Sequence, residues 1–279
     1  MRIKIEKLPA KTYKVSVTVE KDKVTSAFNQ AFNDLKSNIS VGGFRKGMAP
    51  DNLIKEKADP SKLTNKVLTS LIPNVYSAII KEHHLHPIID PKIQVENLKE
   101  DEEAKFLVTI VEYPEVELEN YKENIKNLKP KKTKSKNGNK DVVVEISSIL
   151  KTLVNSSKIQ ISQIMIDDEI TRMFANLIDQ TAKLGITIES YLKSQNKTLD
   201  TLKKEYKKQA EDVLKIDFIL EKIAKEEKII VTDKEVEDAI SANPDPKAQE
   251  QLKTDNGKIY VKATLSKNKV LSMLSKLIK

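Results

Sequence analysis

The sequence contains no cysteine and no tryptophan, and only 6 of its 279 residues are glycine. The absence of cysteine excludes disulfides, thiolate metal sites, iron–sulfur clusters and thiol nucleophiles. The scarcity of glycine argues against a many-turned β-barrel and against a Gly-rich phosphate-binding loop. No run of 18 apolar residues occurs, and charged residues interrupt the N-terminus at once, so neither a membrane-spanning helix nor a signal peptide is expected. These absences favour a soluble protein, which we expect in the cytoplasm.

The net charge of +8 is concentrated in one segment of the chain. Residues 1–119 contain 18 basic and 18 acidic residues, residues 120–140 contain 8 and 1, and residues 141–279 contain 23 and 22. A basic stretch with so little apolar content is predicted to be a solvated tether, which would also attract RNA in a salt-dependent way. The chain therefore divides into a neutral domain at 1–119, a basic linker at 120–140 and a second neutral domain at 141–279.

The hydrophobic period switches between 2 and 3.6 along the first domain, which separates strands from helices. Alternating polar and apolar residues predict half-buried strands, and apolar residues spaced by three and four predict helices. The predicted elements are a strand at 11–20, a helix at 22–40, a short helix at 51–57, a longer helix from Asp59 that Pro73 should kink or split, and strands at 92–96 and 104–112. This order predicts an α+β domain in which helices cover an antiparallel sheet.

A loop between the first two helices, residues 42–50, carries an unusual combination of side chains. Glycines bracket Phe44, Arg45 and Lys46, and Pro50 closes the loop. Glycine freedom at both ends allows the tip to stand in solvent, where an aromatic side chain beside two cations suits contact with an acidic, apolar or RNA surface. The residues alone leave open a second arrangement, in which Phe44 folds back into the core and the two cations are merely solvated.

This loop resembles the ribosome-docking signature of the trigger factor family of bacterial chaperones. The flanking strand and helix, Leu-His-Pro at 85–87 and the stretch at 111–116 are similar too. The resemblance implies that the loop binds the large ribosomal subunit beside the polypeptide exit tunnel, touching protein and rRNA. It implies contacts from Phe44, Arg45 and Lys46, and a loop shaped by Gly43, Gly47 and Pro50. Met48 stands where the family often has a polar or basic residue.

Helical periodicity dominates the second domain. Its longest stripe starts at Thr198 and continues for about thirty residues, and residues 232–235 form a capping box for a later helix. Narrow stripes on long helices predict an extended all-α domain whose helices pack as pairs and arms and leave apolar concave surface open. An ordinary helical domain with every stripe buried is the alternative.

The stretch at 184–192, together with 198–202, Ala210 and 223–235, resembles the substrate-cradling C-terminal domain of the same family, which is SurA-like in arrangement. The resemblance implies that unfolded nascent polypeptides bind on the apolar faces of these helices. Examples of residues on those faces are Met173, Phe174, Leu177 and Tyr206.

Full-length members of this family carry an FKBP-type prolyl-isomerase domain between the two parts. Such a domain needs on the order of 100 residues, whereas the linker has 21 and one aromatic residue, Tyr121. We therefore expect no isomerase activity.

No other chemistry is predicted. The dinucleotide, P-loop, zinc-protease and serine-hydrolase motifs are absent from the sequence. The three histidines, His83, His84 and His86, are poorly spaced for a metal site, since adjacent residues do not share a helix face. We expect no catalytic residue, no metal and no cofactor.

Together these features predict an ATP-independent, ribosome-associated chaperone that docks near the exit tunnel, shields nascent chains and assists folding. The expected partners are the large ribosomal subunit and unfolded nascent polypeptides, with no membrane partner. A homodimer off the ribosome remains open. The alternatives are a basic RNA-binding protein that acts through the linker, a ribosome-independent assembly chaperone, and an isomerase with an unrecognised site.

Overall fold

The computed structural model describes residues 1–45, 48–128, 131–134, 140–143 and 146–278. It divides the chain into two compact units, Met1–Tyr113 and Pro114–Lys279. The first unit combines a sheet with helices and the second is mostly helical, as the sequence predicts. Among the described residues, no helix has the length and apolar character that crossing a membrane requires.

The first unit is built on a four-stranded antiparallel sheet with the strand order β1-β2-β4-β3. Its elements are β1 (Arg2–Leu8), β2 (Thr12–Val19), α1 (Lys21–Lys36), α2 (Asp51–Lys57), α3 (Pro60–His83), β3 (Lys92–Asn97) and β4 (Ala104–Val111). The valines of β2 alternate along the strand and point into the core. Val15 lies opposite Val108 of β4, and Val17 lies opposite Phe106. These side chains form one core with apolar residues of α1 and α3, so the helices cover a single face of the sheet.

The long helix α3 is started by a local cap and is kept continuous across an internal proline by packing. The Asp59 carboxylate accepts a hydrogen bond from the backbone N–H of Ser61 at 2.9 Å, which caps the helix, and Pro60 occupies its first turn. Pro73 lies inside the helix, but the predicted split does not occur. Leu71 and Val75, on either side of the proline, are both buried in the same core, and this packing holds the two halves together.

The second unit consists mainly of helices. Its elements are β5 (Val116–Leu118), α4 (Tyr121–Lys126), β6 (Lys131–Lys134), β7 (Lys140–Val143), α5 (Ile146–Asn155), β8 (Ser157–Ile159), α6 (Gln163–Lys183), α7 (Ile188–Ser194), α8 (Leu199–Glu226), α9 (Asp233–Ser241), α10 (Pro246–Leu252) and α11 (Asp255–Ser275). The main core lies between α4, α5, α8 and α11. Two short antiparallel pairings, β5 with β8 and β6 with β7, add to the predicted all-α architecture.

The first part of the predicted linker is folded, which moves the boundary between the units. The predicted boundary follows residue 119, whereas the structure places it between Tyr113 and Pro114. Tyr121 and Ile125, one helical turn apart in α4, are both buried in the core of the second unit. The Tyr121 hydroxyl lies 3.2 Å from a Glu227 carboxylate oxygen, and burial together with this carboxylate raises the pKa of the tyrosine. Residues 129–130 and 135–139 of the linker lie outside the described part of the chain.

Candidate functional site

The loop between α1 and α2 is anchored at its base by a small core of its own. Phe32 of α1, Ala49 of the loop and Ile54 of α2 are buried together, with Ile39 and Val41 packed against them. The ammonium of Lys55 lies 5.5 Å from the centre of the Phe32 ring, within the range of a cation–π contact. Because both ends of the loop are tied into this core, the base cannot move independently of the two helices.

The tip of the loop stands in solvent. Phe44 is 46% exposed and Met48 is 71% exposed. Gly43 has a φ of +84°, a conformation that glycine adopts without steric cost, and the Phe44 N–H donates to the Val41 carbonyl at 3.1 Å. The Met48 N–H donates to the Arg45 carbonyl at 2.9 Å. Phe44 therefore projects outward from a hydrogen-bonded backbone instead of filling the core.

Charge at the tip comes from Arg45, which is exposed. Among the described residues it has no ion-pair partner, so its guanidinium is available to an anionic surface. Behind the tip, Lys36 of α1 forms an ion pair with Asp51 of α2, which joins the two ends of the loop once more.

The remaining loop residues are placed as follows. Pro50 is exposed and its carbonyl accepts the first hydrogen bonds of α2, from Leu53 and Ile54 at 3.1 Å each. Lys46 and Gly47, both predicted site residues, lie outside the described part of the chain. Met48 was noted in the sequence only as a departure from the family, yet it is the more exposed of the two apolar side chains at the tip. Its place directly after Gly47 in the glycine-bracketed loop is the sequence signal that could have identified it.

The candidate client-binding residues occupy two different environments. Leu177 is buried with Leu192 and Leu202 in a core that joins α6, α7 and α8. Phe174 and Tyr206 flank this core with ring centres 5.0 Å apart, and both are partly exposed. Burial raises the pKa of Tyr206 above its ordinary value. Met173 is likewise half-buried.

Leu177 therefore cannot contact a client unless this core opens. The exposed apolar side chains of the helical unit are other residues, and some of them, such as Leu184 and Leu199, lie in stretches already named from the sequence. They are Ile146, Ile178, Leu184, Ile186, Leu199, Ile230, Ile259 and Tyr260. Ile178, directly after the buried Leu177, shows the signal that could have found them, because an apolar residue off the helical stripe has no core to enter.

The described residues of the two units contain no candidate metal site. No group of three or more His, Asp or Glu side chains there is arranged to hold a metal ion. The surfaces that the chain presents are instead the loop tip in the first unit and apolar patches in the second.

Comparison with known proteins identifies the family of both parts of the chain. Residues 1–149 match the family model of the bacterial trigger factor protein (TF), and residues 117–276 match the model of its C-terminus. Trigger factor of Natranaerobius thermophilus is 31% identical over 117 residues, which are 42% of this chain and 26% of that protein. Trigger factor of Shouchella clausii is 28% identical over 191 residues, which are 68% of this chain and 43% of that protein. The chain thus spans less than half the length of these relatives.

One solved structure covers the whole chain. It is a trigger factor chaperone reported for promiscuous substrate recognition in its folding and assembly activities. The match has a TM-score of 0.67 at 16% identity and covers 99% of each chain, so the two share a fold.

Proposed function

The chain belongs to the trigger factor family, whose members are ribosome-associated chaperones, and from this premise we propose that it docks beside the polypeptide exit tunnel and shields nascent chains without ATP. Its place of action is then the cytoplasm, and its partners are the large ribosomal subunit and unfolded polypeptides. Docking belongs to the loop of the first unit, and shielding belongs to the exposed apolar side chains of the helical unit.

The observation that carries the docking proposal is the outward position of Phe44 on a braced loop. An aromatic side chain held in water loses the free energy that burial would provide, about 25 cal/mol per Å² of apolar area. A partner surface that covers Phe44 and Met48 recovers this free energy without rearranging the loop, because the core of Phe32, Ala49 and Ile54 already holds its base. Arg45 adds an electrostatic attraction that weakens as salt rises.

The shielding proposal rests on several apolar side chains that the helical unit leaves exposed. They lie at the start of α5, along α6 and the loop to α7, at the start of α8, in the segment between α8 and α9, and on α11. Many small contacts of this kind bind an unfolded chain weakly and release it without an energy source. The fold match to a chaperone with promiscuous substrate recognition supports this assignment.

We also propose that the chain lacks prolyl-isomerase activity. The two matched stretches overlap at residues 117–149, so no unmatched interval of about 100 residues separates them. The proposal predicts that the chain leaves the rate of a proline-limited refolding reaction unchanged. Acceleration of that reaction would establish an isomerase site that the family motifs do not identify.

The docking proposal is tested by co-sedimentation of the full chain with ribosomes. The double variant Phe44→Ala/Arg45→Ala should lose binding while its fold is kept. A matched control, Ile88→Ala/Lys81→Ala, changes an exposed apolar residue and an exposed lysine of the same unit outside the loop and should bind normally.

Each result of this experiment discriminates between candidate functions. Unchanged binding of the loop variant refutes the docking role. Loss of binding on deletion of residues 129–140, with the loop variant unaffected, would instead indicate an RNA-binding protein that acts through the basic segment. Suppression of aggregation with no ribosome binding at all would indicate a ribosome-independent assembly chaperone.

A further inference from the structure

The short segment between α8 and α9 holds one large apolar side chain in solvent. Ile229 packs into the main core of the helical unit and Val231 into a second core with α9 and α11. Ile230 lies between a partly buried and a buried neighbour and is 75% exposed. Because adjacent residues of an extended segment point in opposite directions, the inward packing of both neighbours leaves Ile230 facing outward.

Hydrogen bonds keep this segment in place. The Ile229 N–H donates to the Ala224 carbonyl at 2.9 Å, and Lys228 adopts a left-handed conformation with a φ of +52°, which together terminate α8. The Lys269 ammonium of α11 donates to the Ile230 carbonyl at 2.7 Å and also contacts Glu235 of α9. The exposed position of Ile230 is therefore built into the structure.

Ile230 forms one wall of a groove whose other wall is α11. On that helix Ile259 is 67% exposed, and Ala263 lies one turn further along the same face. The groove has a volume of about 620 Å³ and its floor includes Ala224 and Ile229. It has room for one or two large apolar side chains of a bound segment and lies entirely within the second unit.

Four lysines and one glutamate line this apolar groove: Lys225, Lys228, Lys262, Lys267 and Glu221. Lys225 pairs with Glu221, Lys262 with Asp233 and Lys267 with Asp217. Exposed pairs of this kind contribute at most about 1 kcal/mol, so their lysines can exchange partners at little cost. Among the residues that the structure describes, Lys228 has no ion-pair partner.

The balance of charge differs in a neighbouring depression that shares Ile259 and Lys262 with the groove. Its lining adds three carboxylates, Asp233, Glu237 and Asp255, and one further lysine, Lys258. A carboxylate of a bound segment is therefore attracted more strongly to the groove, beside Lys228, than to this depression.

We propose that this groove binds extended segments of unfolded clients in which a large aliphatic or aromatic side chain is flanked by Asp or Glu. The proposal rests on the chaperone function above and specifies one class of its clients. The apolar side chain is buried between Ile230 and Ile259, and the flanking carboxylates replace Glu221 and Asp233 as partners of the groove lysines.

The test uses the full chain and two fluorescent peptides that share a Leu-Phe-Leu centre. One peptide carries Asp and Glu on both sides of the centre and the other carries Lys, and binding is followed by fluorescence anisotropy. The acidic peptide should bind more tightly. Ile230→Ser and Ile259→Ser should each weaken it about fivefold, since each removes part of the apolar wall. Lys228→Glu/Lys262→Glu should reverse the preference.

The control is Ile88→Ser, which makes the same change at an exposed isoleucine of the first unit, away from the apolar residues assigned to client binding. It should bind the acidic peptide as the parent chain does. Equal binding of the two peptides, or equal losses in the control and the groove variants, would overturn the proposal.

Suppression of aggregation of an unfolded protein, measured on the same samples, separates this proposal from the chaperone function. A parent chain that suppresses aggregation but does not prefer the acidic peptide keeps its function and refutes the groove assignment. A parent chain that prefers the acidic peptide through Ile230 and Ile259 but does not suppress aggregation supports the groove and refutes the function.

Discussion

Replacing Ile125 by alanine should destabilise the helical unit although the residue lies in a segment with the composition of a tether. Ile125 is fully buried against Ile149, Leu153 and Ile219, among others. The substitution removes three carbon atoms, which corresponds to about 2.4 kcal/mol at about 0.8 kcal/mol for each. The cavity left behind adds to this, and measured losses for such changes lie at about 2–5 kcal/mol. We expect a loss of about 3 kcal/mol in the free energy of unfolding.

The effect should extend to the whole helix α4. This helix has six residues, far fewer than the roughly 12–15 at which isolated helices become marginally stable in water, so packing must maintain it. Without the Ile125 side chain, the amides of residues 121–128 should exchange faster with solvent than those of α8.

The assay is urea unfolding followed by circular dichroism at a helical wavelength, combined with amide hydrogen exchange. Lys126→Ala is the matched control, because it changes the exposed neighbour of Ile125 to a residue of similar helix propensity and should alter stability by less than about 0.5 kcal/mol. If Ile125→Ala costs no more than this control, the assignment of α4 to the core of the second unit is wrong.

Three further predictions concern the loop base and the start of α9. Ile54→Ala should lower the free energy of unfolding in urea by about 3 kcal/mol, because Ile54 is fully buried. Phe44→Ala should lower it by less than about 0.5 kcal/mol, because Phe44 is half-exposed. Equal losses for the two variants would contradict the division of the loop into a buried base and an exposed tip. Thr232→Ala should lower the free energy of unfolding by about 1 kcal/mol and increase amide exchange in the first turn of α9. The reason is that the Thr232 hydroxyl accepts a hydrogen bond from the Glu235 N–H in a capping box. Unchanged amide exchange would count against this cap. The Lys269 ammonium and the Thr232 N–H lower the pKa of the Glu235 carboxyl from 4.5 to about 2. The stabilising contribution of this carboxylate is therefore complete above pH 4.5 and is lost as the pH falls towards 2. An NMR titration of Glu235 should give this low pKa, and Lys269→Met should raise the pKa.

The sequence predicts those elements whose local chemistry is sufficient to define them. The alternation in β2 and the start of α3 at Asp59 appear in the structure as predicted. The capping box at Thr232 likewise begins a helix. In each case neighbouring residues carry the whole signal, because a turn, a cap or an alternating face is decided within a few positions of the chain.

Features that depend on distant packing are not predicted in the same way. The eight lysines of the segment 120–140 give it the composition of a tether, so the sequence does not reveal that Tyr121 and Ile125 are buried. Their burial depends on contacts with α5, α8 and α11. The stripe of α6 identifies Leu177 as apolar but does not show that α7 and the start of α8 cover it. At the loop between α1 and α2, the glycines and Pro50 allow a projecting tip, whereas the small core beneath it requires Phe32 from the preceding helix and Ile54 from the next.

The length of α8 has a mechanical consequence. Its 28 residues extend roughly 42 Å, and the two ends are held by separate cores, one around Leu202 and the other around Ile219 and Ile223. The core around Leu202 is the smaller of the two, so this end of α8 is held less firmly than the end at Ile219 and Ile223. Bending of α8 between the two cores would displace α6 and α7, which pack around Leu202, while the main core stays in place.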